Sequence, residues 1–176
     1  HEAGGTYDWT EAELAEALDR ALGDYGTSEQ PLWIGEYGGL TENDGFADYV
    51  EQISTLLFRR SLGSALWAFN KADGGFAFLD ASGELKAVFE RSFALPVPSR
   101  LPGPPTKVEP DLERGSLHLE FACAPEMQAE FMLPATGSWK FDIGPEGALT
   151  LAEQDGHRVF FDCAGSADVS LDVWAE

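Results

Sequence analysis

The apolar residues of this chain change period once, from three or four to two. The change falls at a proline-rich stretch, Pro96-Val97-Pro98-Ser99-Arg100-Leu101-Pro102-Gly103-Pro104-Pro105. A helix buries every third or fourth residue and a strand every second, so the two sides of this stretch cannot share a fold. Proline removes an amide donor and biases the residue before it away from helix, so 96–105 reads as a linker or stiff crossover. The expected division is therefore 1–95, a linker at 96–105, and 106–176.

Before the prolines the spacing is helical. Thr10-Glu11-Ala12-Glu13 has the form of a capping box, and Leu14, Leu18, Leu22 and Tyr25 follow on one face, which predicts a helix over 11–25. Phe46, Tyr49, Val50, Ile53, Leu56 and Leu57 predict a second helix over 44–62, and Leu85, Val88 and Phe89 a third over 83–93. Between them 32–37 and 63–69 read as strands. Alternating strands and helices signal parallel strands with helical crossovers. Two such strands are apolar on both faces and need further strands beside them, so the unit reads as incomplete.

After the prolines Leu117, Leu119 and Phe121 alternate with polar residues, as do Trp139, Phe141 and Ile143, and Val169, Leu171 and Val173. Leu149-Thr150-Leu151 and Val159-Phe160-Phe161 flank Asp155-Gly156, a favoured pair for a two-residue hairpin turn. Short alternating strands at this spacing predict a β-sandwich. Cys123 and Cys163, the two cysteines, continue inward-facing phases, which leaves two buried thiols and one disulfide both open. They do not make a zinc site, and His118 and His157 read as outward or turn residues rather than metal ligands.

With 11 Lys and Arg against 31 Asp and Glu, the formal charge is -20. Such a surface repels phosphate-rich partners, so nucleic acid and anionic membranes are excluded. No apolar run is long enough for a membrane span. The chain opens on His1 rather than Met, which leads us to expect that something precedes it, either removed or belonging to a longer polypeptide.

The residues with chemistry lie at the ends of the two strands. Parallel α/β proteins place working groups at the carboxyl ends of strands. There Pro31-Leu32-Trp33-Ile34-Gly35-Glu36-Tyr37-Gly38-Gly39 delivers a carboxylate framed by glycines, with the Tyr37 phenol beside it to hydrogen-bond and orient it. The next strand delivers Trp67, then Phe69, Asn70 and Asp73 in a glycine-rich loop. An indole face suits the apolar face of a pyranose and a carboxylate suits its anomeric carbon, which makes Glu36 and Trp67 a candidate sugar site.

Trp33-Ile34-Gly35-Glu36-Tyr37-Gly38, followed about thirty residues later by Ala65-Leu66-Trp67-Ala68-Phe69, resembles the last two strands of the (β/α)8 barrel in glycoside hydrolase family 5. The proline-rich segment and sandwich look like the C-terminal domain of its endoglycoceramidase-like members. The fold class this implies is α/β plus all-β: the C-terminal portion of a TIM barrel followed by a small antiparallel β-sandwich. By the same resemblance Glu36 is the nucleophile, Trp67 lines the subsite of the reacting sugar and His1 is a further substrate contact; Tyr37 and Asn70 are added as substrate contacts from their place at the two strand ends, and no cofactor or metal is expected. The implied substrate is a glycan or glycolipid, for instance the bond between an oligosaccharide and ceramide. The alternatives are a family 5 polysaccharide hydrolase, or a carbohydrate- or lipid-binding module that uses Trp139, Lys140 or Trp174. The implied location is extracellular. The resemblance also implies an acid/base carboxyl from an Asn-Glu pair on an earlier strand. That pair does not occur here, so the partner it implies is the missing N-terminal part of the barrel.

Overall fold

A computed structural model describes residues 5–23, 32–135 and 137–176. The chain divides between Ser92 and Phe93 into two compact units.

In the first unit helix α1, Glu11–Leu22, starts at the expected capping box. The Glu13 amide donates to Thr10 Oγ1 at 3.3 Å and the Thr10 amide to Glu13 Oε2 at 2.8 Å. Tyr25, expected on the same face, lies outside the described residues. Strand β1, Trp33–Tyr37, pairs in parallel with β2, Gly63–Leu66, and helix α2, Phe46–Arg59, connects them. At its end the Leu62 amide donates to the Leu57 carbonyl and the Ser61 amide to the Phe58 carbonyl, with Ser61 at φ 52°, a Schellman closure without its usual glycine.

Helix α2 organises this unit because it buries two stripes. Ile53, Leu56 and Leu57 join Tyr7 and Leu14, with Ile34 and Tyr37 of β1 packed against them. Phe46 and Val50 join Phe89, with Leu66 and Phe78 alongside. The helices thus cover one face of the two strands.

The helix expected over 83–93 is shorter than its apolar spacing suggests. Asp80 Oδ1 accepts from the amides of Gly83 and Glu84, and Gly83 turns at φ 98°. Residues 84–86 then run back beside 78–80, with the Lys86 amide donating to the Phe78 carbonyl. Only a 3-10 turn, Ala87–Phe89, and the short helix α3, Glu90–Phe93, remain helical. An aspartate that satisfies local amides competes with the helix for the same donors.

The second unit consists of two four-stranded antiparallel sheets. One has the order β4 (Pro105–Asp111), β5 (Ser116–Cys123), β10 (Ala167–Ala175), β7 (Trp139–Gly144). The other has the order β3 (Val97–Arg100), β6 (Gln128–Met132), β9 (Arg158–Cys163), β8 (Leu149–Asp155). Leu117, Leu119, Phe121, Val169, Leu171 and Val173 from the first sheet are buried, as are Ala129, Phe131, Val159 and Phe161 from the second. The rings of Phe141 and Phe161 meet across the sheets at 5.0 Å, and a disulfide joins Cys123 in β5 to Cys163 in β9. Of the two states left open for the cysteines, the structure has the bonded one.

Two readings need correction. Residues 96–105 are not a free linker: Val97–Arg100 is strand β3, paired with β6, and β4 begins at Pro105. Prolines are compatible with pairing here because β3 and β4 are edge strands, which need a ladder on one side only. The hairpin turn is also displaced by one residue. Asp155 pairs with Arg158, so the loop is Gly156-His157, with Gly156 at φ 58°.

Candidate active site

Strands β1 and β2 end side by side because they are parallel, with Tyr37 opposite Leu66. Between the pairs Ile34–Ser64 and Tyr37–Leu66, β1 advances three residues while β2 advances two, so β1 carries one extra residue, a bulge at Gly35-Glu36. This bulge decides where the carboxylate goes. Ile34 and Tyr37 both pack on the helical layer, whereas Gly35 and Glu36 both stand in the open. Regular alternation from Ile34 would send Glu36 to the helical side and Tyr37 into the open. Glu36 is therefore exposed at the carboxyl end of its strand. The expected fully buried strand is instead half covered, and Trp33 is 66% exposed.

The Tyr37 phenol does not serve Glu36. Its ring belongs to the helix-facing core, and its hydroxyl shares hydrogen bonds with Ser64 and Ser54. Burial pushes its pKa up, and those two hydrogen bonds work against that rise. Neighbours in a strand face opposite sides, and the bulge gives the helical side to Tyr37 and the open side to Glu36, so the Tyr37 ring does not lie on the carboxylate's face.

Trp67 follows β2, 53% exposed, and its amide donates to the Tyr37 carbonyl at 2.7 Å. The peptide between Trp67 and Ala68 is cis. Gly38 lies against this junction so closely that a Cβ there would sit 2.5 Å from the Trp67 carbonyl oxygen. The Gly38 backbone is also hydrogen-bonded with Tyr49, whose phenol burial pushes up to about 12, with Tyr37 and Tyr7 adding to the rise.

The loops beyond the two strands are stapled together. The Gly75 amide donates to Glu42 Oε2 at 2.8 Å, the Thr41 amide to the Gly75 carbonyl at 3.0 Å, and Lys86 Nζ to Thr41 Oγ1 at 2.9 Å. The Ala68 amide donates to the Phe76 carbonyl at 2.9 Å, which brings Phe76 beside the residue after Trp67. Phe69 is 79% exposed, with its ring 5.2 Å from that of Phe78. Phe76 is a further exposed aromatic that the sequence reading passed over; the signal was Gly74-Gly75 before it, a turn that folds 76 back on 68.

Asn70 is exposed in this loop, its amide donating to the Ala68 carbonyl. Asp73 is engaged locally, accepting from the Ala81 amide at 3.0 Å. His1 lies outside the described residues. Among the described residues no three His, Cys, Asp or Glu side chains are grouped as a metal ion requires, and no helix is long and apolar enough to cross a membrane. In the second unit, the residues considered for a binding face are partly committed. Trp139 Nε1 donates to the Pro134 carbonyl at 3.2 Å, and Lys140 pairs with Glu176 at 3.1 Å.

Neither a protein-family model nor a curated protein sequence matches the chain. Solved structures do. Endo-glycoceramidase II from Rhodococcus sp., as its lactosyl-enzyme intermediate, is similar over 94% of this chain and 36% of its own, with TM-score 0.66 and 20% identity. Its complex with ganglioside GM3 matches with TM-score 0.65 at the same identity. Sterylglucosidase 1 from Cryptococcus neoformans is similar over 96% of this chain and 33% of its own, with TM-score 0.72 and 10% identity. The fold of this chain is that of a part of these glycoside hydrolases, about a third of their length.

Proposed function

We propose that this chain supplies the nucleophile half of a retaining glycoside hydrolase active site. The observation that carries this is the bulged end of β1, which turns Glu36 into the open beside Trp67 at the carboxyl ends of two parallel strands. In this reading a Glu36 carboxylate oxygen attacks the anomeric carbon while the bond to the leaving oxygen breaks. Water then attacks the glycosyl ester, releases the sugar and regenerates the carboxylate. Trp67 offers its indole face to the sugar ring, and Asn70 lies within the same loop for hydroxyl contacts. The leaving oxygen needs a proton from a second carboxyl group about 5 to 5.5 Å away. We assign that group to barrel strands beyond this chain, which spans about a third of the enzymes it resembles.

The proposed substrate is a β-glycoside with an apolar aglycone, such as the oligosaccharide–ceramide bond of a glycosphingolipid. Its support is twofold: similar folds are known with a lactosyl-enzyme intermediate and with ganglioside GM3, and exposed Phe69 and Phe76 lie in the loop that follows Trp67. An extracellular location is part of the same proposal, supported by the Cys123–Cys163 bond, since disulfides persist in oxidising compartments. The test is Glu36→Gln in the complete barrel, assayed on an aryl β-glycoside. The side chain is exposed, so the variant should fold, and a loss of kcat of about a thousandfold or more is expected. Near-normal turnover would remove the nucleophile assignment.

A further inference from the structure

The second unit carries a recess of about 650 Å³, within the ordinary range for small-molecule sites. It opens where β3 ends, beside the turn before β6 and the last residues of β9. We propose that it binds one ring of a neutral sugar. The reading of Glu36 and Trp67 is not needed for this proposal.

The polar lining is a row of planar groups. Arg100 Nη2 donates to Gln128 Oε1 at 3.2 Å, and Gln128 Nε2 donates to Asp162 Oδ1 at 2.8 Å. Guanidinium, amide and carboxylate each present paired donors or acceptors in a fixed plane, the geometry that adjacent ring hydroxyls match. Leu101, Pro102 and Met127 supply an apolar part of the same lining, suited to the C–H face of a pyranose. Cys163 lines the recess too, and its bond to Cys123 fixes that wall.

Charge narrows the ligand class. One guanidinium against the carboxylates of Glu126 and Asp162 leaves this lining negative on a chain of formal charge -20, which disfavours anions. None of the lining residues is aromatic, so there is no ring cage for a quaternary ammonium. A neutral polyhydroxylated ring with one apolar face satisfies both halves of the site. Glu126 adds an independent mark: it is a non-glycine residue at φ 66° on the rim. The turn around it is held by the Met127 amide on the Ala124 carbonyl and the Cys163 amide on the Met127 carbonyl. Backbone held in such a conformation recurs at ligand sites.

The experiment is amide-shift mapping on the isotope-labelled 176-residue chain. The probes are methyl β-D-glucopyranoside and lactose, with tetramethylammonium and inorganic phosphate as charged comparators. Sugar-dependent shifts are expected at 100–102, 126–128 and 162–163, saturating in the millimolar range. Gln128→Ala should weaken them about fivefold to tenfold, the size of one lost hydrogen bond. Met127→Ala should weaken them less and serves as the second variant if the first loses its dispersed spectrum. Trp67→Ala should leave them unchanged, which separates this recess from the barrel site. Silence toward both sugars at tens of millimolar overturns the proposal. So do shifts confined to other residues, shifts indifferent to both recess variants, or a recess that answers only to tetramethylammonium or phosphate.

Discussion

The amide of Trp67 donates to the carbonyl of Tyr37 at 2.7 Å, one residue past Glu36, so the backbone that presents the carboxylate is tied to the backbone that presents the indole. Gly38 sits in this junction with no room for a side chain. Gly38→Ala should force the two strand ends apart and destabilise the first unit by about 1 to 3 kcal/mol, the usual cost of overpacking. Denaturant unfolding of the two proteins measures it. An unchanged midpoint would mean that the strand ends tolerate separation.

Tyr37 and Glu36 are adjacent yet belong to different layers, which separates their variants. Tyr37→Phe removes a hydroxyl from the Ser64 and Ser54 network and should cost about 1 to 3 kcal/mol of stability, because buried partners are left unpaired. In the complete barrel KM should stay where it was. A rise in KM at unaltered stability would return Tyr37 to the sugar side.

Reducing the Cys123–Cys163 bond should weaken the second unit strongly. The bond spans 40 residues, and closing a loop of that length stabilises by about 4 kcal/mol through the unfolded chain. Unfolding of the Cys123→Ala/Cys163→Ala variant against the oxidised protein tests this. Equal midpoints would show that the two sheets hold together without it.

The second unit also carries two opposed responses to pH. His118 Nδ1 lies 2.9 Å from Asp172 Oδ1 and Nε2 lies 3.4 Å from Glu120 Oε1, and only the imidazolium donates to both. Burial works against the charged form, but these two hydrogen bonds outweigh it, and the pKa rises above 6.5. That contribution is full below 6.5 and is lost as pH climbs through the folded value. Glu130 behaves oppositely. Hydrogen bonds from Arg158 to Glu130 Oε1, at 2.9 and 2.6 Å, hold its pKa below 4.5, so its contribution is present above 4.5 and is lost on acidification. Both are intact together between 4.5 and 6.5, and stability should peak there. His118→Gln should flatten the neutral limb and Glu130→Gln the acid limb of a stability–pH profile. Limbs that persist in these variants would assign the dependence to other groups.

What could be read from the sequence follows from which forces act locally. The Thr10 capping box and the alternation of Leu117, Leu119 and Phe121 were legible because cap and pleat are set by residues within a few positions. Glu36 and Trp67 were legible as strand-end residues, and the structure brings their backbones together. Which of Glu36 and Tyr37 takes the open face was not, because the bulge that sets it is defined by pairing with β2. The helical spacing of Leu85, Val88 and Phe89 misled for a similar reason: Asp80 had already claimed the amides that a longer helix needed. The recess beside Met127 has no sequence signal, since Arg100, Gln128 and Asp162 come from three strands.

The prolines that read as a break have another consequence once β3 is seen at the margin of its sheet. Pro98 pairs with Phe131 on the inner side and has no N–H to offer a stranger on the outer one. A second copy of the chain that tried to extend this sheet would find a missing rung at that position, so the residue that seemed to interrupt the fold guards it against self-association.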